Sequence, residues 1–166
     1  MTDPSAIHEA GHAVIGRILG MICGGASIVA DDDSAGHSIC ADPLEIAPHW
    51  RERGRYRETK VIFRGRILTY MAGAESERVI VGSCDGGDGD DRYQIELMAE
   101  SDDADLPLDL WRRYEPRARR HCRRLVRRHR KTIEAVANLL MLDGRLTASE
   151  IDAVMADWSL YCAGGK

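Results

Sequence analysis

His8, Glu9 and His12 stand in HExxH spacing within the stretch SAIHEAGHAVIGRILG, close to the first residue of the chain. Residues four apart lie one turn above each other on a helix, so the two histidines present their imidazoles to one point. Glu9 sits about 100° round the same helix, where it can reach a water held at that point without being a ligand. Amide hydrolysis is the chemistry this serves: zinc polarises the carbonyl and brings a water's pKa near ~7, and Glu9 moves the water's proton to the leaving amine. Coincidence would leave one histidine as a satisfied core residue and the other at the surface. Gly11, inside the motif, costs roughly 1 kcal/mol in a helix interior, which points to another backbone packed against it.

A catalytic zinc site needs a third protein ligand and an open fourth position. Ile15 and Ile18 stand where the metzincin motif would place its glycine and third histidine, so that class is excluded. Downstream carboxylates remain: Glu75, Glu77, Asp90 and Asp91. Ile95, Met98 and Ala99 put Asp91 on the buried face of its helix, whereas Gln94 lies four on from Asp90. Asp91 is therefore the stronger candidate, although an acid that merely favours the helix dipole would stand in the same place. The doublet leaves the register open by one residue.

Around these residues the chain reads as a mainly helical α+β unit over 1–166, a length suited to one domain. Asp3 caps a first helix with Pro4 at its opening position, and Ile7, Ala10, Val14 and Ile18 form its apolar stripe as far as Gly20. CGG then reads as a turn, and a hairpin is expected at Ser27 to Ala30 and His37 to Cys40. Pro43 and Pro48 mark an irregular loop. A buried helix is expected from Glu58 to Val81, then an acidic glycine-rich loop and a helix opening near Asp91. The next helix starts near Leu108, with Trp111, Tyr114, Ala118, Cys122, Leu125, His129, Ile133, Val136 and Leu140 on one stripe and Pro116 as a kink or break. Thr147 and Glu150 form a capping-box pattern for a last helix.

AIHEAGHAVIG, AGHSI, ILTYMAGAESERVIVG, GDGDDRYQIELMA and NLLMLDGRLTASEI follow one another in an order that resembles the peptidase domain of FtsH-type ATP-dependent zinc metalloproteases. The resemblance spans nearly the whole chain. It implies a zincin-like fold, a Zn2+ ion held by His8, His12 and Asp91, Glu9 as general base, and Glu77 as a carboxylate that orients a ligand without binding the metal. It also suggests that an extended peptide adds to the hairpin edge at Ser27, Ile28, Val29 and Ala30, where the alternative is a hairpin that only covers the core. Residues 1–166 hold no GxxxxGK[ST] phosphate loop, so no ATPase module is expected. The chain would be a stand-alone relative that cuts peptides, unfolded protein or a specific client, with unfolding left to a separate partner.

Charge is divided along the chain: 112–131 carries eleven Arg or Lys against Glu115, while 85–109 carries ten acids against Arg92. Nucleic-acid binding through the Arg-rich helix is the rival from another class, and a metal-binding regulator without activity is the rival within the same one. The apolar stripe favours instead a solvated face neutralised by the acidic segment. Five scattered cysteines without a CxxC pair indicate reduced thiols; Cys84, in the loop before Asp91, could approach the metal or be simply buried. His37, His49, His121 and His129 have no ligand spacing. With no apolar run of ~18–20 residues and no signal-like start, a cytoplasmic protein with no membrane contact is expected.

Overall fold

The computed structural model describes residues 3–30, 36–52, 54, 58–85, 87–106 and 108–163, with backbone alone for 49, 108, 109 and 158–163. Helix α1 (Pro4–Ile18) starts as its capping residues require. Asp3 is extended, its carboxylate accepts from Ser5 N at 2.9 Å, and Pro4 fills a position that needs no donor. Every residue from Ala6 to Gly16 is buried, because α1 runs through the middle of the molecule between α3 (Thr59–Ser76), α6 (Arg130–Asp143) and the sheet. At Gly11 an added Cβ would lie 2.8 Å from Ala72 O, so the expected close backbone is that of α3.

The sheet has three antiparallel strands in the order β2-β1-β3, and this corrects the expected hairpin. Strand β1 is Cys23–Ser27, not Ser27 to Ala30; β2 is His37–Cys40; β3, Arg145–Leu146, is an addition. Cys23 faces Cys40 and Ser27 faces His37, while on the other side Ala26 faces Leu146 and Ser27 faces Arg145. CGG enters a strand because its neighbours crowd it: a Cβ on Gly24 would sit 2.9 Å from Ile39 Cβ, and one on Gly25 would meet Leu146 O. Close approach on both flanks selects glycine against β-propensity. The expected turn falls largely on 31–35, outside the described residues.

The proline-marked loop is also corrected, since Pro43–Glu52 is helix α2. Asp42 Oδ1 accepts from Leu44 N at 2.7 Å, Pro43 fills the first position, and Ile46 and Ala47 pack on Met21 and Ile62 in a small cluster of their own. Helix α3 ends in a π-turn, Glu77–Val81, closed by Gly82 at φ 104°. Then come α4 (Gly89–Glu100), a 3₁₀ turn (Asp102–Ala104) and α5 (Leu108–Arg128). The break before α6 falls at His129, not at Pro116, which lies inside α5. Cys122, Val126, Ile133 and Val136 keep one apolar stripe across that break, so periodicity could not reveal it. Helix α7 (Ala148–Ala163) has the expected capping box: Thr147 N donates to Glu150 Oε2 at 2.7 Å and Glu150 N to Thr147 Oγ1 at 3.3 Å.

The molecule is thus mainly helical with a small antiparallel sheet, and its main core joins α1, α3, α5, α6 and α7. Among the described residues no helix is long and apolar enough to cross a membrane.

Candidate metal centre and its cleft

His8 Nε2, His12 Nε2 and Asp91 Oδ2 converge, all within 4.8 Å of one another. Asp91 Oδ2 lies 3.0 Å from His8 Nε2 and 3.1 Å from His12 Nε2. The histidines come from successive turns of α1 and the aspartate from the first turn of α4, while the neighbouring Asp90 is exposed. Each imidazole is fixed from behind. His8 Nδ1 donates to Glu77 Oε1 at 2.6 Å and His12 Nδ1 to the Thr69 carbonyl at 2.7 Å. With Nδ1 committed as a donor, each Nε2 is the atom free to act as a ligand.

Gly73 makes room for this pair. A Cβ there would stand 2.5 Å from the Nε2 atoms of both His8 and His12, so the imidazoles rest against bare backbone of α3. Thr69, Gly73 and Glu77 recur four residues apart, and one face of α3 therefore cradles both imidazoles. Glu77 opens the π-turn, a widening of the helix that often carries functional side chains.

Two imidazole nitrogens and one carboxylate oxygen, with hydrogen-bonded outer partners, suit zinc and leave further positions for water and substrate. Electrostatics agree. Burial disfavours the charged form of His8, but hydrogen bonds to Asp91 and Glu77 outweigh it and push its pKa up to about 9. Burial also works to raise the Asp91 carboxyl, and His12 and His8 overcome it and hold that group well below the usual carboxylate range. Near neutral pH a proton therefore sits between His8 and Asp91, and a cation bound at the same point would have to displace it.

Glu9 is buried at the mouth of the group. Burial raises its pKa, opposed by the charges of His12 and His8. It lies under the start of β2, where a Cβ on Gly36 would come within 3.3 Å of Glu9 Oε1. The cleft of about 720 Å³ that opens here is lined by His8, Glu9, His12, Tyr70 and Asp91, and by Gly36 with His37, Ser38 and Cys40 of β2.

Other sequence candidates lie elsewhere. Glu75, fully buried, turns to the far side of α3 and pairs with Arg78 at 3.0 Å, with Arg119 at 3.5 Å and with Arg123 at 2.5 Å. The α5 arginines paired among the described residues thus reach Glu75 and Glu115, not the acidic segment 85–109 as expected. Cys84 Sγ approaches Glu77 Oε1 at 3.7 Å. The edge expected at Ser27 to Ala30 is corrected: Ser27 is paired on both sides in the central strand, and Ile28, Val29 and Ala30 follow it outside any strand.

Several residues at the site were not foreseen. Gly73 and Thr69 carry a signal, their four-residue spacing back from Glu77. His37, Arg66 and Tyr70 line the cleft with no spacing that announces it. Cys23 and Cys40, seventeen apart in sequence, meet across β1 and β2 with their Sγ atoms 3.6 Å apart. No family model matches the chain, and no curated protein matches it.

Proposed function

We propose that this chain is a zinc-dependent endopeptidase of FtsH-like, zincin-type fold, acting in the cytoplasm on peptides or unfolded protein segments. The observation that carries the reading is the convergence of His8 Nε2, His12 Nε2 and Asp91 Oδ2 beside the buried Glu9, from elements eighty residues apart. Bound zinc would supply a Lewis acid and bring the pKa of a water at the site near ~7. His8 and His12, held at Nδ1, would offer Nε2 lone pairs, and Asp91 would offset the ion's charge. Glu9 would take a proton on its carboxylate and return it to the leaving amine nitrogen. Its burial raises its pKa toward the working range, which suits that role. A separate unfoldase or a specific client would determine which folded proteins are cut.

Hydrolysis of an unfolded protein by the zinc-replete chain, with and without chelator, tests this against Glu9→Gln. Zinc-dependent cleavage lost in Glu9→Gln is the expected result. Cleavage no better than that of Glu9→Gln would sink the enzyme reading, and zinc bound at one per chain would then favour the regulator. Salt-dependent DNA retention unaffected by Glu9→Gln would favour the nucleic-acid module.

A further inference from the structure

Among the described residues Arg66 is the single lysine or arginine that is buried, at 8% exposure. Of the buried acids Glu9, Glu75, Glu77 and Asp88, Glu75 and Asp88 pair with arginines and Glu77 with His8, whereas no carboxylate among the described residues pairs with Arg66. Its Nη2 donates to Tyr70 Oη at 3.0 Å and to the Cys40 carbonyl at 3.3 Å, and the guanidinium lies 4.1 Å from the centre of the Tyr70 ring. Its Nε is buried without a hydrogen-bond partner. An unpaired buried charge is costly, and Tyr70 and the Cys40 carbonyl engage one guanidinium nitrogen without offsetting the charge, which suits an anion entering from the cleft. The residue lines the same cleft as His8, Glu9 and His12.

Two rulers give its distance from the reacting centre. Along α3, Arg66 lies seven residues before Gly73, which supports both imidazoles, or roughly 10 Å of helix. Along β2, Gly36 lies against Glu9 and Cys40 against Arg66, a separation of four residues or about 13 Å. Strand β2 is an outer strand of the sheet, so an extended peptide can add to it along the cleft.

We propose that Arg66, supported by Tyr70, is an anion subsite that selects peptides bearing a carboxylate roughly three to four residues from the scissile bond. The subsite rests on the peptidase reading for its role, but not for its affinity. An aspartate or glutamate side chain and a free C-terminus offer the same carboxylate chemistry.

The test uses labelled, end-blocked decapeptides with one Glu, Gln or Lys at successive positions, and a matched set with free or amidated C-termini. Binding to the full zinc-loaded Glu9→Gln chain is read by fluorescence anisotropy, and cleavage by the wild type. Glu should bind about tenfold better than Gln at one offset, and Arg66→Glu should shift the preference to Lys. A response confined to the free C-terminal set would identify the α-carboxylate as the anion. Binding with a carboxylate preference but no wild-type cleavage would remove the peptidase reading and leave the subsite standing. Cleavage without preference, equal binding of Glu and Gln peptides, or no binding at all would overturn the subsite. The peptide comparison needs no change at position 66, so it decides even if Arg66 variants do not fold.

Discussion

Glu77 Oε1 accepts from His8 Nδ1 at 2.6 Å across the junction of α1 and the π-turn. That bond holds the imidazole with Nδ1 as donor and Nε2 toward Asp91 and His12. Glu77→Gln should weaken zinc binding roughly 10- to 100-fold while the stoichiometry at saturation stays one per chain. Competition against a chromogenic chelator measures it; unchanged affinity would show that the bond does not tune the ligand.

Two residues earlier, Glu75 has a different task. It is buried among Arg78, Arg119 and Arg123, tying α3 to α5 away from the cleft. Glu75→Ala should destabilise the fold by about 3 kcal/mol, toward the lower end for a buried pair because Arg123 is partly exposed, with zinc affinity unchanged in the folded protein. Urea denaturation and zinc titration of the same sample separate the two effects. A zinc defect without a stability loss would reverse the assignment.

Gly73→Ala places a methyl group 2.5 Å from both Nε2 atoms. Either the imidazoles or the backbone of α3 must move, at a cost of about 1–3 kcal/mol, and the ligand geometry should be lost. The expected outcome is a lower thermal midpoint together with loss of zinc binding. Wild-type zinc affinity in this variant would mean that the imidazoles are not held against the helix.

Cysteine reactivity should divide by environment. The hydrogen bond from Cys23 lowers the Cys40 thiol, burial opposes it, and Arg66 and His12 add to the lowering, so that the group is held below the ordinary thiol range. Burial pushes Cys122 up to about 12. A thiolate is the reactive form, so alkylation of Cys40 should rise at a lower pH than that of an ordinary thiol, while Cys122 reacts only on unfolding. Iodoacetamide labelling followed by mass spectrometry from pH 6 to 9 reads this. A Cys40 rate that climbs only above pH 8.5 would contradict it.

What could be read from residue order was local or periodic. Asp3 with Pro4 and Thr147 with Glu150 announce their helices, and HEAGH with its buried stripe presents its histidines on one face. Asp91 could be preferred over Asp90 because Ile95 and Ala99 mark its inward side. The misses have separate causes. Gly24 and Gly25 form a strand only because β2 and β3 crowd them, Pro43 opens a helix through a cap at Asp42, and the break at His129 leaves the apolar stripe unaltered. Pairing between distant segments also decides that Ser27 is interior to the sheet, and it brings Arg66 and Cys40 to the cleft. Such pairings have no period in the sequence.

Helix α4 buries only Ile95 and Ala99 of its twelve residues. Besides these and the partly buried Met98, its first turn ties it down, where Asp91 meets the two imidazoles. Apolar burial of that size is a thin mooring, and anything that tightens the Asp91 knot would also settle the whole helix and the acidic loop leading into it. Ligand capture and the ordering of α4 would then be one event, and amide exchange in this helix would serve as a gauge of whether the centre is loaded.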